Sequence, residues 1–127
     1  MSEREAKESA ETGGSFEATR PEDYPVAKDI EVELPSGAKA VLHEPNKYLM
    51  LKTGQFPKDV TEAIYAAVES GTEPSYEVRQ KALEALLCKA FVSPPVSMTP
   101  RKGHLTVADL RDRDREFVVM LLGLTVF

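Results

Sequence analysis

Few residues of this chain are of types that carry out chemistry, and their spacing matches no catalytic or metal-binding pattern. The one cysteine is Cys88, and the two histidines, His43 and His104, stand 61 positions apart (104 − 43). A cysteine nucleophile needs a nearby base, and zinc sites usually cluster Cys or His ligands. We therefore expect Cys88 to be a small buried apolar residue and both histidines to lie on the surface. The sequence predicts no catalytic residue, no cofactor and no metal site, and so a protein that is not an enzyme.

Two further segments could be taken for ligand loops. Asp109, Asp112 and Asp114 offer carboxylates for calcium, but arginines at positions 111, 113 and 115 would repel the cation. We expect these acids to favour a helix N-terminus and to pair with arginines three or four residues away. The run at 35–37, Pro-Ser-Gly, has one glycine and no Lys-Ser or Lys-Thr ending. It therefore predicts a hairpin turn and not a phosphate loop.

Composition separates an N-terminal arm from the rest of the chain. Residues 1–24 hold seven acids and three bases, which is −4 of the net charge of −5. With so few apolar residues, the arm cannot bury enough area to offset its ordering entropy, and we expect it to be disordered. The remainder, 25–127, is long enough for a single globular domain. Its nearly balanced charge gives no electrostatic argument for nucleic acid.

The composition also bears on the compartment. A single cysteine excludes an intramolecular disulfide and fits a reducing cytoplasm. No apolar run reaches the roughly 20 residues that a membrane-spanning helix needs, and the N-terminus lacks the apolar segment of a signal peptide. We expect a soluble intracellular protein with no membrane partner.

The first predicted element is a β-hairpin at about 30–43. Ile30–Leu34 alternates apolar and acidic residues with a period of two, which indicates a half-buried strand. A second short apolar run follows the Pro-Ser-Gly turn. A lone hairpin is marginal in water, so this one must pack on helices or pair with a strand of another chain. Its edge strands leave a homo-oligomer open as an alternative.

Helical periodicity fills the rest of the chain. Four helices are predicted, at about 45–53, 57–70, 75–92 and 107–122 (the last from 107 or 112). Gly54 and Gly71 are stop signals, and Ser75 is a good N-cap for the longest helix. Thr106 followed by Asp109 resembles a capping signature. The predicted fold class is α+β, mainly α, with a small N-terminal β-hairpin followed by a compact bundle of about four helices.

The chain ends on an apolar run. Phe117–Phe127 carries no charge and only one polar side chain. A helix that is apolar on every side must be covered on every side, which a small domain can hardly do at its own chain end. We therefore expect part of this run to lie in the core and part to bind a partner. The candidate partner-binding residues are Met120, Leu124 and Phe127.

Two stretches together resemble the tail assembly chaperones of long-tailed (siphovirus-type) double-stranded DNA bacteriophages. Val32–Pro57 has a strand, the Pro-Ser-Gly turn, a second strand and a short helix ending on Gly-x-Phe-Pro. Ala90–Leu122 has a Phe-Val-Ser-Pro-Pro-Val segment, a loop and a closing "DL-x-x-x-D" helix, matched by Asp109, Leu110 and Asp114. Many relatives carry Arg or Lys where this chain has His-Glu at 43–44, which puts any shared contact there in doubt.

The resemblance implies a cytoplasmic assembly factor that is absent from the mature virion. Such a chaperone binds the long helical tape measure protein, keeps it soluble and helps tail tube protein to assemble around it. In many of these phages a ribosomal frameshift near the end of the reading frame makes a longer form of the chaperone. The apolar end of this chain would then continue into a second domain in a minority of products.

Two other function classes remain as alternatives. The first is a small virion structural protein, such as a tail-completion or head–tail connector subunit, since these also pack hairpins and helices into rings. The second is a small enzyme or regulator subunit, which the lack of a nucleophile–base pair and of a metal cluster disfavours. Two observations separate the chaperone from the virion structural protein. Binding of the tape measure protein indicates the chaperone, and abundant copies in virions indicate the structural protein.

Overall fold

A computed structural model describes residues 16–124, which form an α+β fold with four helices and a small antiparallel sheet. The helices are α1 (Lys47–Lys52), α2 (Lys58–Ser70), α3 (Tyr76–Ala90) and α4 (Asp112–Leu122). The strands are β1 (Ile30–Glu33), β2 (Lys39–Leu42), β3 (Phe91–Ser93), β4 (Val96–Ser97) and β5 (Leu105–Thr106). Much of the predicted disordered arm lies outside the described residues. Its described part, 16–24, is exposed and contains a 3-10 turn at Pro21–Asp23.

The β-hairpin is present, and β1 pairs antiparallel with β2 from Ile30 opposite Leu42 to Glu33 opposite Lys39. The connection is tight because the Gly37 N–H donates to the Leu34 carbonyl oxygen at 2.8 Å. Gly37 has a φ of 94°, in the left-handed region that glycine enters at low cost. The predicted turn chemistry at 35–37 is therefore confirmed.

A third strand completes the sheet. It begins at Phe91, within the segment 75–92 that the sequence predicted as helix, so the predicted end of that helix is wrong. The helix ends at Ala90, and Phe91 turns to an extended conformation. Phe91 and Val92 favour strands, and a proline at 94 biases the residue before it toward extended backbone. β3 then pairs antiparallel with β2, so the sheet has the order β1-β2-β3. The hairpin thus finds its third strand within its own chain.

The helix boundaries otherwise follow local capping chemistry. The Asn46 side chain accepts a hydrogen bond from the Leu49 N–H at the start of α1, and the Ser75 hydroxyl accepts one from the Val78 N–H at the start of α3. Gly71 ends α2 in the left-handed conformation. The Ser75 cap and the Gly71 stop are as the sequence predicts, and the Asn46 cap moves the start of α1 to Lys47, two residues after the predicted start.

The segment before α4 holds more structure than the predicted loop. β4 and β5 form a short parallel pair, and a 3-10 turn follows at Val107–Asp109. Thr106 and Asp109 form the predicted capping box around that turn. Because Leu110 and Arg111 are extended, the last α-helix begins at Asp112, the later of the two predicted starts.

The hydrophobic core takes side chains from the sheet, from all four helices and from the loop before α4. Its largest fully buried side chains are Leu42, Val60, Ile64, Leu86, Leu87 and Val118. Burying each is worth about 1.5–3 kcal/mol. α3 packs against α2 on one side and α4 on another, and it also contacts β3 and β4. Within the described part of the chain, no helix has the length and apolar character needed to cross a bilayer.

Candidate functional site

An open groove lies along α3 and α4, beside the 3-10 turn that precedes α4. Its volume is about 730 Å³. The apolar lining comes from Leu83, Leu87, Val107, Ala108, Val119 and Met120. The polar lining comes from Gln80, Glu84, Asp112, Arg115 and Glu116. An apolar floor with a charged rim is the form that grooves for amphipathic helices take.

The structure separates the three candidate partner-binding residues. Met120 lines the groove and is 83% exposed, so its side chain is available to a partner. Leu124 is 3% exposed and belongs to the core, so it cannot serve as a contact surface in this conformation. Phe127 lies outside the described residues. Leu121, which was not among the candidate partner-binding residues, is exposed next to Met120.

The end of α4 explains why Leu124 turns inward. Gly123 adopts a φ of 63°, and its N–H donates to the Val119 carbonyl oxygen. The Leu124 N–H donates to the same oxygen at 2.9 Å. Such a glycine cap commonly folds the next apolar residue back onto the helix. Leu124, although it belongs to the apolar run at 117–127, is therefore a core residue.

The rim of the groove carries excess negative charge. Glu84, Asp112 and Glu116 face a single base, Arg115. Arg115 is occupied by Asp112 and by the Val107 and Leu110 carbonyl oxygens. Glu84 and Glu116 make no ion pair within residues 16–124. A ligand that places basic side chains over this rim would therefore be favoured.

A buried carboxylate joins α4 to the hairpin turn. Asp114 is the charged residue that the core of the described chain buries, at 4% exposure. Its Oδ2 accepts the Ser36 hydroxyl hydrogen bond at 2.6 Å, and its Oδ1 accepts the Ser36 N–H at 3.0 Å. The sequence predicted Asp114 at a helix N-terminus and paired with an arginine three or four residues away. It does lie in the first turn of α4, but within the described residues it forms no ion pair and accepts from Ser36 instead. Its partner lies 78 positions away, and no local pattern connects the two.

The thiol and one histidine line a second cavity. Cys88, Ser97 and His104 all border it, and the Ser97 hydroxyl lies 2.8 Å from His104 Nδ1. Sequence spacing did not reveal this Ser–His pair, because parallel pairing of β4 and β5 brings the two residues together. A hydrolase would also need a group that orients the histidine, and no carboxylate hydrogen-bonds to His104 within the described residues.

The state of the thiol also argues against nucleophilic catalysis. Burial raises the pKa of Cys88, and the nearby Glu84 carboxylate raises it further. The thiol is half-buried, in partial agreement with the sequence prediction. His43 pairs instead with Asp29, with Nδ1 2.9 Å from the carboxylate. Both histidines are half-buried, less exposed than predicted.

The aspartates near α4 serve helix capping and ion pairing. Asp109 caps the 3-10 turn through Thr106, and its pKa is lowered by the Thr106 backbone hydrogen bond and then by the Thr106 hydroxyl. Asp112 pairs with Arg115 three residues on, as the sequence predicts. Between residues 16 and 124, no group of three or more Asp, Glu, His or Cys is placed to hold a metal ion.

No protein-family model, no curated protein and no solved structure matches the chain significantly.

Proposed function

We propose that this chain is a tail assembly chaperone of a long-tailed bacteriophage, and that it binds a helix of the tape measure protein in the groove between α3 and α4. The observation that carries the proposal is the 83% exposure of the Met120 side chain, which lines the groove. The family resemblance in the Pro-Ser-Gly hairpin and the closing aspartate helix supplies the class of client. On this proposal the protein acts in the host cytoplasm, is not an enzyme, and leaves before the virion is complete.

The groove suits a helical client of defined chemistry. A tape measure helix would lay its apolar stripe over Leu83, Val119 and Met120, which line the groove and are not fully buried, and each client side chain that becomes well buried would contribute about 1.5–3 kcal/mol. Met120 can adapt to different client side chains because thioether chains are flexible and polarizable. The acidic rim selects client segments in which Lys or Arg flanks the apolar stripe.

Charge also supports a solubilising role. Residues 1–24 carry seven acids and three bases. An acidic segment on the binder keeps a complex with an apolar client in solution by mutual repulsion. Tail tube protein and a frameshifted longer form of this chain are further partners within the same proposal.

Co-expression with the tape measure protein of the same phage tests the proposal. We expect the tape measure to become soluble and to co-purify with this chain. Met120→Glu places a charge on the groove wall and should abolish capture. Val68→Glu is the matched control, because Val68 is also an exposed apolar residue but lies on α2, away from the groove. If the tape measure stays insoluble with the unaltered chain, the proposal is wrong.

A virion structural subunit is the second candidate, and the open edge of β1 favours it. Among residues 16–124, β1 lies at the margin of the sheet and pairs with β2 alone, and an edge strand of this kind can pair with a neighbouring subunit. Mass spectrometry of purified virions separates the two functions. Stoichiometric copies of this chain in particles would favour the structural subunit, and its absence would favour the chaperone.

A further inference from the structure

A second cavity, separate from the α3–α4 groove, carries the features of a small-ligand site. Its volume is about 480 Å³, within the range of about 300–1,000 Å³ that ligand pockets occupy. The connector before α2, the second half of α3 and the segment around β4 form its walls. Three distant parts of the chain therefore meet around one concave space.

The charged side chains that line this cavity are basic, whereas the chain as a whole is acidic. Lys89, Arg101 and His104 line it, and no Asp or Glu does so within the described residues. The whole chain has a net charge of −5. A basic cavity without carboxylates therefore differs in charge from the rest of the protein. Within residues 16–124, the side chains of Lys89 and Arg101 form no ion pair or hydrogen bond. An anion between these groups would relieve their mutual repulsion and add charge-assisted hydrogen bonds.

Neutral donors are placed beside the bases. Ser97 and His104 are joined at 2.8 Å through the hydroxyl and Nδ1. When the hydroxyl donates to Nδ1, the neutral ring carries its proton on Nε2, which leaves that nitrogen as a donor. In that arrangement the Ser97 hydroxyl holds the ring in place and leaves one donor for an anion.

Most of the remaining lining is apolar. Its accessible surface comes from Pro57 and Met98, beside the buried side chains of Phe56, Ala85 and Val96. A bare inorganic ion would leave this surface in contact with water. A ligand that joins an anionic group to a compact apolar body would use both parts of the cavity.

We propose that this cavity binds a small organic anion, in which a phosphate or carboxylate group contacts Lys89, Arg101 and His104 and an aromatic or aliphatic body lies against Pro57 and Met98. The proposal is independent of client binding by the α3–α4 groove. It assigns a ligand site to Lys89, Arg101 and His104, which the chaperone function does not use.

Amide-resolved NMR titration of the full chain with phenyl phosphate tests the site. We expect saturable shifts at Ser97, Met98 and His104. Arg101→Gln should weaken binding about tenfold, the usual effect of removing one charge-assisted contact. Lys102→Gln is the matched control, because it removes the same charge from the neighbouring residue, which does not line this cavity. It should leave the affinity within about twofold.

Three further ligands decide between the parts of the proposal. Benzoate distinguishes a carboxylate from a phosphate site, and binding of either aromatic anion supports the proposal. Phenol and inorganic phosphate each carry only one half of the ligand and should bind at least about tenfold more weakly. The proposal is overturned if no saturable shift occurs at these residues. It is equally overturned if phenol or inorganic phosphate binds as well as phenyl phosphate, or if Arg101→Gln and Lys102→Gln have the same effect.

Discussion

Ser36 and Asp114 hold the hairpin turn against the last helix through two hydrogen bonds to one buried carboxylate. The hydroxyl and the backbone N–H of Ser36 donate to separate oxygens of Asp114, at 2.6 and 3.0 Å. Asp114 lies in the first turn of α4, where the helix macrodipole also favours a negative group. The contact joins the two stretches that carry the family resemblance, the Pro-Ser-Gly turn and the aspartate-containing closing helix.

We expect Asp114→Ala to lower the free energy of unfolding by about 2–3 kcal/mol, because it removes hydrogen bonds to a charged acceptor and leaves the Ser36 donors without their partner. Urea denaturation measures the effect. A double-mutant cycle with Ser36→Ala should give a coupling energy of about 1–2 kcal/mol. Asp112→Ala is the control: this carboxylate is exposed, and its loss should cost less than about 1 kcal/mol. Additive single effects in the cycle would contradict a direct contact.

Two residues of the apolar run at 117–127 should have different roles: Leu124 should stabilise the fold and Met120 should bind the partner. Leu124→Ala removes a core side chain and should cost about 2–4 kcal/mol in unfolding free energy. Met120→Ala removes an exposed side chain and should change that energy by less than about 0.5 kcal/mol, while still weakening capture of the tape measure protein. Thermal and urea unfolding of the two variants check the first part and pull-down the second. Equal destabilisation by both substitutions would show that Met120 is covered.

The capping box predicts the acid titration of Asp109. Hydrogen bonds from the Thr106 backbone N–H and then its hydroxyl hold the pKa of Asp109 below its ordinary value of 3.8. A carboxyl with a depressed folded-state pKa stabilises the fold above the unfolded-state pKa, and this stabilisation is lost as the pH falls through the folded-state pKa.

Removing one donor should therefore move this titration upward. Thr106→Val deletes the hydroxyl and keeps the backbone N–H, so the pKa of Asp109 should rise only part of the way toward 3.8. Carboxyl-carbon NMR between acid and neutral pH measures it. An unchanged pKa in Thr106→Val would mean that the hydroxyl contributes nothing to the cap.

Cys88 should react slowly with electrophiles. Burial and the Glu84 carboxylate raise the pKa of its thiol above 9.0, and the thiolate is the reactive form. Iodoacetamide at neutral pH should therefore alkylate the folded chain more slowly than the chain in urea, as followed by mass spectrometry. Glu84→Gln should increase the rate modestly. A folded chain that reacts as fast as the unfolded one would contradict this account.

Much of the local structure could be predicted from short stretches of sequence. The alternation of Ile30–Leu34, the glycine at 37 and the caps at Ser75 and Thr106 act on residues within a few positions of themselves. Their chemistry needs no distant partner, so the hairpin, the helix starts and the capping box are all present in the structure. Met120 was among the predicted contact residues and is exposed.

The sequence by itself determined the β1–β2 hairpin, the approximate positions of the four helices and the caps at Ser75 and Thr106, because these preferences arise from backbone sterics and from hydrogen bonds between near neighbours. Only the tertiary structure decided that β3 completes the sheet, that Leu124 is core, and that Ser36 meets Asp114. The same holds for the cavity that brings Lys89, Ser97 and Arg101 together. Each of these depends on how separate elements pack. Packing is a property of the whole chain, since an apolar or polar side chain does not encode which distant surface will cover it.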